Sequence, residues 1–190
     1  MQPLLKIQIT NFISEFPKTE SDKRLSGFCS MKIGGPAGIF YALSRLEELP
    51  GIIECAAKLK IPYVIIGGGT NLIFSEKGFR GLIIRMQANK VQIEDNMIIA
   101  EAGAPLGNII ILSLKHNLYG LQKLMGVPGT IGGALRGNAG ANGAEIKDFI
   151  HKAEILTPPE NHAQSEAKCA YNKPFCIAKH PLCRRPIINY

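Results

Sequence analysis

A short apolar run that empties into three consecutive glycines is the feature of this chain that most restricts its fold. Val64-Ile65-Ile66 has the composition of a buried strand, Gly67-Gly68-Gly69 ends it, and Thr70-Asn71-Leu72 follows. Adjacent glycines cost roughly 0.5–1 kcal/mol each relative to Ala in a regular element. The segment therefore reads as a turn whose backbone takes positive φ or lies close to another group. Two readings are open: a tight strand-to-loop turn, or a concave nest of bare amides that holds an anion, with Thr70 and Asn71 adding side-chain donors. A second glycine-rich region runs Leu124-Met125-Gly126-Val127-Pro128-Gly129-Thr130-Ile131-Gly132-Gly133-Ala134, then Gly137-Asn138-Ala139-Gly140-Ala141-Asn142-Gly143. Pro128-Gly129 is a turn signal. Gly132-Gly133-Ala134 would let a helix start approach a ligand closely, and a helix N-terminus favours phosphate; close packing of two backbones would call for the same glycines. Two such regions with a Thr in each point to a phosphate-bearing cofactor. The spacing G-x-G-x-x-G is absent, because Leu72 stands where its third glycine belongs, and no G-K-[ST] follows either set of glycines.

The chain has 190 residues, which allows one domain, or one domain and a fragment. Hydrophobic residues at 46% and charged residues at 19% are ordinary globular usage and exclude wholesale disorder. The longest apolar stretches, such as 109–114, fall far short of the span of about 20 residues that crosses a bilayer. Residues 1–13 carry one Lys and no small-residue cleavage site, so they do not read as a signal peptide. A net charge of +7 suits nucleic acid, a membrane surface or a phosphorylated small molecule. With no Trp, 7% aromatics and no cationic run longer than the pair Arg184-Arg185, nucleic acid is not the expected partner. Five cysteines, an odd number, suit reduced thiols in a cytoplasmic protein better than a disulfide framework.

All 20 glycines precede residue 144, whereas residues 144–190 hold five prolines and three cysteines. The chain accordingly divides into an N-terminal segment at 1–24, a folded domain at 25–157 and a divergent tail at 158–190, disordered or altered in frame. Within the folded part, strands are predicted at 39–43, 62–66, 81–86, 91–94, 97–100 and 152–157. Helices are predicted over 47–60, where Pro50 falls in the first turn, and over 105–116, with Leu106, Ile109, Ile110, Leu112 and Leu114 buried. Asp95-Asn96 marks a turn. The fold class is α+β.

Four motifs then stand in series: Lys32-Ile33-Gly34-Gly35-Pro36-Ala37, Ile66-Gly67-Gly68-Gly69-Thr70-Asn71-Leu72, Gly126-Val127-Pro128-Gly129-Thr130-Ile131-Gly132-Gly133-Ala134 and Asn138-Ala139-Gly140-Ala141-Asn142-Gly143-Ala144-Glu145-Ile146. In order and spacing they resemble the UDP-N-acetylenolpyruvoylglucosamine reductase (MurB) family of bacterial cell-wall synthesis, over about residues 25–157. The resemblance implies a PCMH-type FAD-binding domain of two α+β subdomains with FAD held between them. It implies NADPH as reductant of the flavin. It further implies hydride transfer to the enolpyruvyl group of a UDP-linked amino sugar, giving UDP-N-acetylmuramate in the cytoplasm, and so a part in peptidoglycan synthesis, cell shape and cell division. On this resemblance Gly67, Gly68, Gly69, Thr70, Asn71, Pro128, Gly129, Thr130, Gly132, Gly133 and Asn138 bind FAD. Hydrogen bonds to charged groups contribute about 1.5–3 kcal/mol each, so a few amides would hold the diphosphate without a lysine.

The chain departs from the family's Tyr-Arg-x-Ser motif, having Tyr171-Asn172-Lys173-Pro174, with Asn172 where the catalytic Arg belongs and Pro174 where Ser belongs. The family's proton-donating Ser and later Glu lie in a C-terminal substrate-binding domain that would follow Tyr190. No catalytic residue is carried over, and the expectation is a truncated copy with a change of frame near residue 165. The alternatives are a non-catalytic FAD-binding remnant and a PCMH-type oxidoreductase with another substrate. Cys169, Cys176 and Cys183 recur every seven residues near His162 and His180. That spacing does not fit the C-x₂₋₄-C of zinc sites, and no metal is expected. His116 reads as the end of its helix, Arg136 as a phosphate contact or a solvated cation, and Glu145 as a loop-ordering or water-facing carboxylate.

Overall fold

The computed structural model describes residues 6–156 and 176–181. The chain forms two compact units, residues 1–87 and 88–190. The first is built on a four-stranded sheet in the order β1-β2-β4-β3, with β1 at Glu20–Arg24, β2 at Pro36–Leu43, β3 at Tyr63–Ile66 and β4 at Phe79–Met86. β2, β4 and β3 are parallel, and β1 is an antiparallel edge. Parallel strands need both faces covered, and the apolar residues of β4 serve both. Ile83 joins Leu25, Ala37, Phe40 and Ile66 in one buried cluster. Leu82 and Ile84, also fully buried, alternate with it.

Two helices carry much of the rest of this core. α1 (Lys6–Glu15) buries Phe12, whose ring lies 5.1 Å from that of Phe16; Phe16 in turn meets Tyr41 edge-on at 6.0 Å. α2 (Leu49–Lys58) buries Leu49, Ile52, Ile53, Cys55 and Ala56. Gln8 ties the two helices together by donating to the Leu59 carbonyl at 2.7 Å. The predicted helix over 47–60 is thus split. A 3₁₀ turn at Leu46–Glu48 precedes α2, and Pro50 sits in the first turn of α2, where it costs no hydrogen bond.

The second unit opens with a hairpin of β5 (Val91–Glu94) and β6 (Met97–Ala100), turned at Asp95 with φ 50°. α3 (Leu106–Lys115) follows, then α4 (Ile131–Gly137), the short pair β7 (Gly140–Ala141) and β8 (Ala144–Glu145), and β9 (Lys152–Leu156), which pairs in parallel with β10 (Cys176–Pro181). Its core gathers Ile98, Ala100, Leu106, Ile109, Ile110, Leu121, Leu124, Ile131, Ile146 and Ile150. α3 buries one face only. Leu112 and Leu114, expected inside, are half-buried, while Ser113 is fully buried and satisfied by donating to the Ile110 carbonyl at 2.8 Å. His116 is the C-terminal cap residue of α3. Among the described residues no helix is long and apolar enough to cross a membrane.

Tyr41 supplies a test of the first unit. Its hydroxyl donates to Glu48 at 2.9 Å. Burial, then that carboxylate, push the phenol from 10.0 up to about 12. A phenol that holds its proton more tightly when folded stabilises fully below its unfolded value, and that contribution disappears as pH rises through the folded value. Tyr41→Phe is expected to lower stability by about 1 kcal/mol at neutral pH. Urea unfolding at a series of pH values should show the gap between wild type and variant closing as pH climbs from 10.0 toward about 12.

Candidate functional site

The carboxyl ends of β2, β4 and β3 share one edge of the sheet, the edge where ligands collect in open α/β sheets. The 67–71 turn leaves β3 there and begins the crossover to β4. Of its three glycines, Gly69 takes positive φ, at 68°. A Cβ on Gly69 would stand 1.9 Å from the Phe28 carbonyl oxygen. The Gly69 carbonyl accepts from the Ser30 amide at 3.0 Å, and the Cys29 thiol donates to the Leu72 carbonyl at 3.2 Å. The strand-to-loop reading therefore accounts for Gly69: it is glycine because another backbone lies on it. The same packing explains the motif at 32–37, since a Cβ on Gly35 would meet the Glu76 carbonyl oxygen at 2.0 Å.

Close packing accounts for Gly69 but leaves several of the turn's backbone amides unused. Gly68, Thr70 and Asn71 are exposed. Among the described residues, the amides of Gly67, Gly68, Gly69 and Asn71 donate no hydrogen bond to another backbone group. Adjacent free amides with no carboxylate in the turn fit an anionic ligand and would reject a cation.

The second turn treats its amides differently. Gly129 takes φ 117°, and its carbonyl accepts from the Leu106 amide at 3.0 Å. Thr130 is the N-cap of α4, accepting from the Gly133 amide at 3.3 Å. The Ile131 amide donates to Ala104 and the Gly132 amide to Ala102, at 2.9 and 2.8 Å. The expected ligand donors at Gly132 and Gly133 are thus already engaged within the protein. Gly132 is buried, and Gly133 offers bare exposed backbone. The amides of Gly129 and Thr130 donate to no backbone acceptor among the described residues. Pro128 is exposed on the same turn.

Asn138 caps the far end of α4 in the left-handed region, φ 45°. Its side-chain Oδ1 is buried and has no partner among the described residues. An orphaned acceptor of this kind fits a ligand N–H or O–H. The Asn138 side chain also bonds Glu145, whose carboxyl is held below the usual carboxylate range by the Lys147 ammonium first and by Asn138 second. Glu145 orders its loop as well, through a reciprocal capping box with Asp148. Arg136 is exposed at the end of α4. Sequence reading missed the 28–30 segment that carries the first turn, for which no motif among those residues gave a signal.

Tyr171, Asn172, Lys173, Pro174, His162, Cys169 and Cys183 lie outside the described residues, and Cys176 and His180 lie on β10. Among the described residues no group of three His, Cys, Asp or Glu side chains is placed to hold a metal ion.

Residues 36–162 match the sequence pattern of a family described as FAD binding domain. The chain is 44% identical over 133 residues to a UDP-N-acetylenolpyruvoylglucosamine reductase of Caldanaerobacter subterraneus subsp. tengcongensis, covering 70% of this chain and 44% of the relative. It is 36% identical over 161 residues to the protein of that name in Clostridium botulinum, covering 81% and 53%. The chain thus spans about half the length of the curated relatives it matches. Its fold aligns with the crystal structure of the reductase (MurB) from Thermus caldophilus at TM-score 0.54 and 27% identity, over 70% of this chain and 47% of that one. An alkyldihydroxyacetonephosphate synthase, at TM-score 0.57 and 18% identity over 77% and 32%, shares the fold.

Two substitutions test this account of the turns. Gly69→Ala should destabilise the first unit by roughly 1–3 kcal/mol or more, since both its φ and the Phe28 carbonyl oppose a Cβ. Thr130→Ala should cost about 0.5–2 kcal/mol by uncapping α4, and Thr130→Ser should restore most of it. Chemical denaturation of each variant checks both.

Proposed function

Since the chain belongs to the FAD binding domain family, we propose that it holds FAD and serves the reaction for which its relatives are named. Its fold is the α+β architecture of PCMH-type FAD-binding domains. The reading assigns FAD to Gly67, Gly68, Gly69, Thr70 and Asn71 in one unit. In the other it assigns Pro128, Gly129, Thr130, Gly132, Gly133 and Asn138. Residues 25–157 are the part that does the holding.

The observation that carries this reading is the set of free, adjacent amides on the 67–71 turn at the carboxyl edge of a parallel sheet. Those amides point the chemistry toward a diphosphate, each charge-assisted hydrogen bond contributing about 1.5–3 kcal/mol. Gly129 and Thr130 supply further amides, and the Asn138 carbonyl supplies an acceptor. Bound FAD would relay hydride from NADPH to the enolpyruvyl group of a UDP-linked amino sugar, yielding UDP-N-acetylmuramate. The chain's own residues bind and orient the dinucleotide. No described residue is assigned the proton that must reach the carbon next to the one that takes the hydride. A cytoplasmic place in bacterial peptidoglycan synthesis accompanies this reading.

Titration of the purified chain with FAD, followed by flavin fluorescence and calorimetry, should saturate at one FAD per chain. A chain that leaves FAD untouched refutes the proposal. With FAD bound, NADPH oxidation stimulated by the UDP-enolpyruvyl sugar supports the full reaction. FAD binding without that stimulation identifies a non-catalytic flavin-binding chain.

A further inference from the structure

Arg85 stands apart from the other cations of the first unit. It lies near the end of β4, paired across the ladder with Ile66, the residue that precedes Gly67, and on the other side with Ala42. Its guanidinium carbon lies 4.8 Å from the centre of the Phe28 ring. Phe28 is the residue whose carbonyl packs on Gly69, and its ring stacks on Phe40 at 4.6 Å. Strand register and ring stacking thus place Arg85 independently beside the base of the 67–71 turn.

Its charge is unanswered there. Among the described residues the Arg85 guanidinium makes no ion pair and donates no side-chain hydrogen bond. Lys23 lies over the same ring at 5.8 Å, but Glu20 engages it at 2.6 Å. Arg85 is half-buried, so its five N–H groups have limited access to water. An arginine stacked on an aromatic ring also packs its stem, and that alone would explain the contact. Packing does not explain a missing counter-charge next to a row of free amides.

We infer that Arg85 is the side-chain cation of the dinucleotide diphosphate site, donating from its Phe28-braced guanidinium to a phosphate oxygen held on the 67–71 turn. This rests on the FAD reading and adds to it. The amides shape the anion's seat, and Arg85 supplies the full positive charge that the turn's backbone lacks.

The test uses the whole chain as wild type, Arg85→Met and Arg85→Lys. FAD affinity is read by flavin fluorescence at low and at high salt, with melting of the FAD-free proteins as a fold control. Arg85→Met is expected to weaken FAD binding about tenfold or more and to flatten its salt dependence. Arg85→Lys should fall between, with the salt dependence kept, because the charge survives without the planar fork. If Arg85→Met binds FAD as tightly as wild type with the same salt dependence, the inference is overturned while the FAD reading stands. A wild-type chain that takes no FAD overturns both. Should Arg85→Met not fold, Arg85→Lys decides: unchanged affinity rejects the phosphate contact, and a several-fold loss at unchanged melting temperature supports it.

Discussion

Two parallel strands that lie side by side cannot be joined by a tight turn, because the chain must travel back to the edge from which the first strand started. In the first unit β3 and β4 are such neighbours, and residues 67–78 make the return without a helix. A helix would have satisfied most of its own amides. An irregular return satisfies only those that find a carbonyl nearby. Gly78 finds one in Ser75 at 2.9 Å. The stretch nearest the carboxyl edge finds no backbone acceptor for four of its amides among the described residues.

Holding such a loop still requires contacts that do not consume its donors. The structure meets this by using the loop's carbonyls and its missing side chains. Ser30 donates to the Gly69 carbonyl, Cys29 to the Leu72 carbonyl, and the Phe28 carbonyl lies on the Cα of Gly69. None of these contacts uses a turn N–H. An unsatisfied buried amide would cost about 1–3 kcal/mol. Water meets that cost where the turn is exposed, as at Gly68 and Asn71, and a ligand can replace the water.

Much of this was legible in the residues. The bounds of β5 and β6 agree with the strands expected at 91–94 and 97–100, because alternation and Asp95-Asn96 specify a hairpin locally. β3 was legible because glycine punctuates it. α1 and β1 were not. α1 buries a single residue, Phe12, and β1 is Glu-Ser-Asp-Lys-Arg, an edge strand with no apolar residue that pairs in its ladder to β2. The engagement of the Gly132 amide by Ala102 was equally hidden, since it depends on a residue thirty positions earlier meeting the start of α4. Arg85 reads in sequence as one more strand residue after Ile83-Ile84. Only register and the Phe28 ring show what it stands beside.

The two glycine turns look alike in composition and differ in what they spend. The turn at 128–133 commits its helix-start amides to Thr130, Ala104 and Ala102, so its glycines let α4 seat closely within its own unit. The turn at 67–71 commits carbonyls and keeps amides. An anion gains most from donors that lose nothing when it arrives, and the amides of Gly67, Gly68, Gly69 and Asn71 have no backbone acceptor to give up among the described residues. The second turn keeps the Gly129 and Thr130 amides without a backbone acceptor, and the Asn138 Oδ1 without a partner, among the described residues. Motif counting treats the two turns as equivalent phosphate loops; the hydrogen bonds each already makes set them apart.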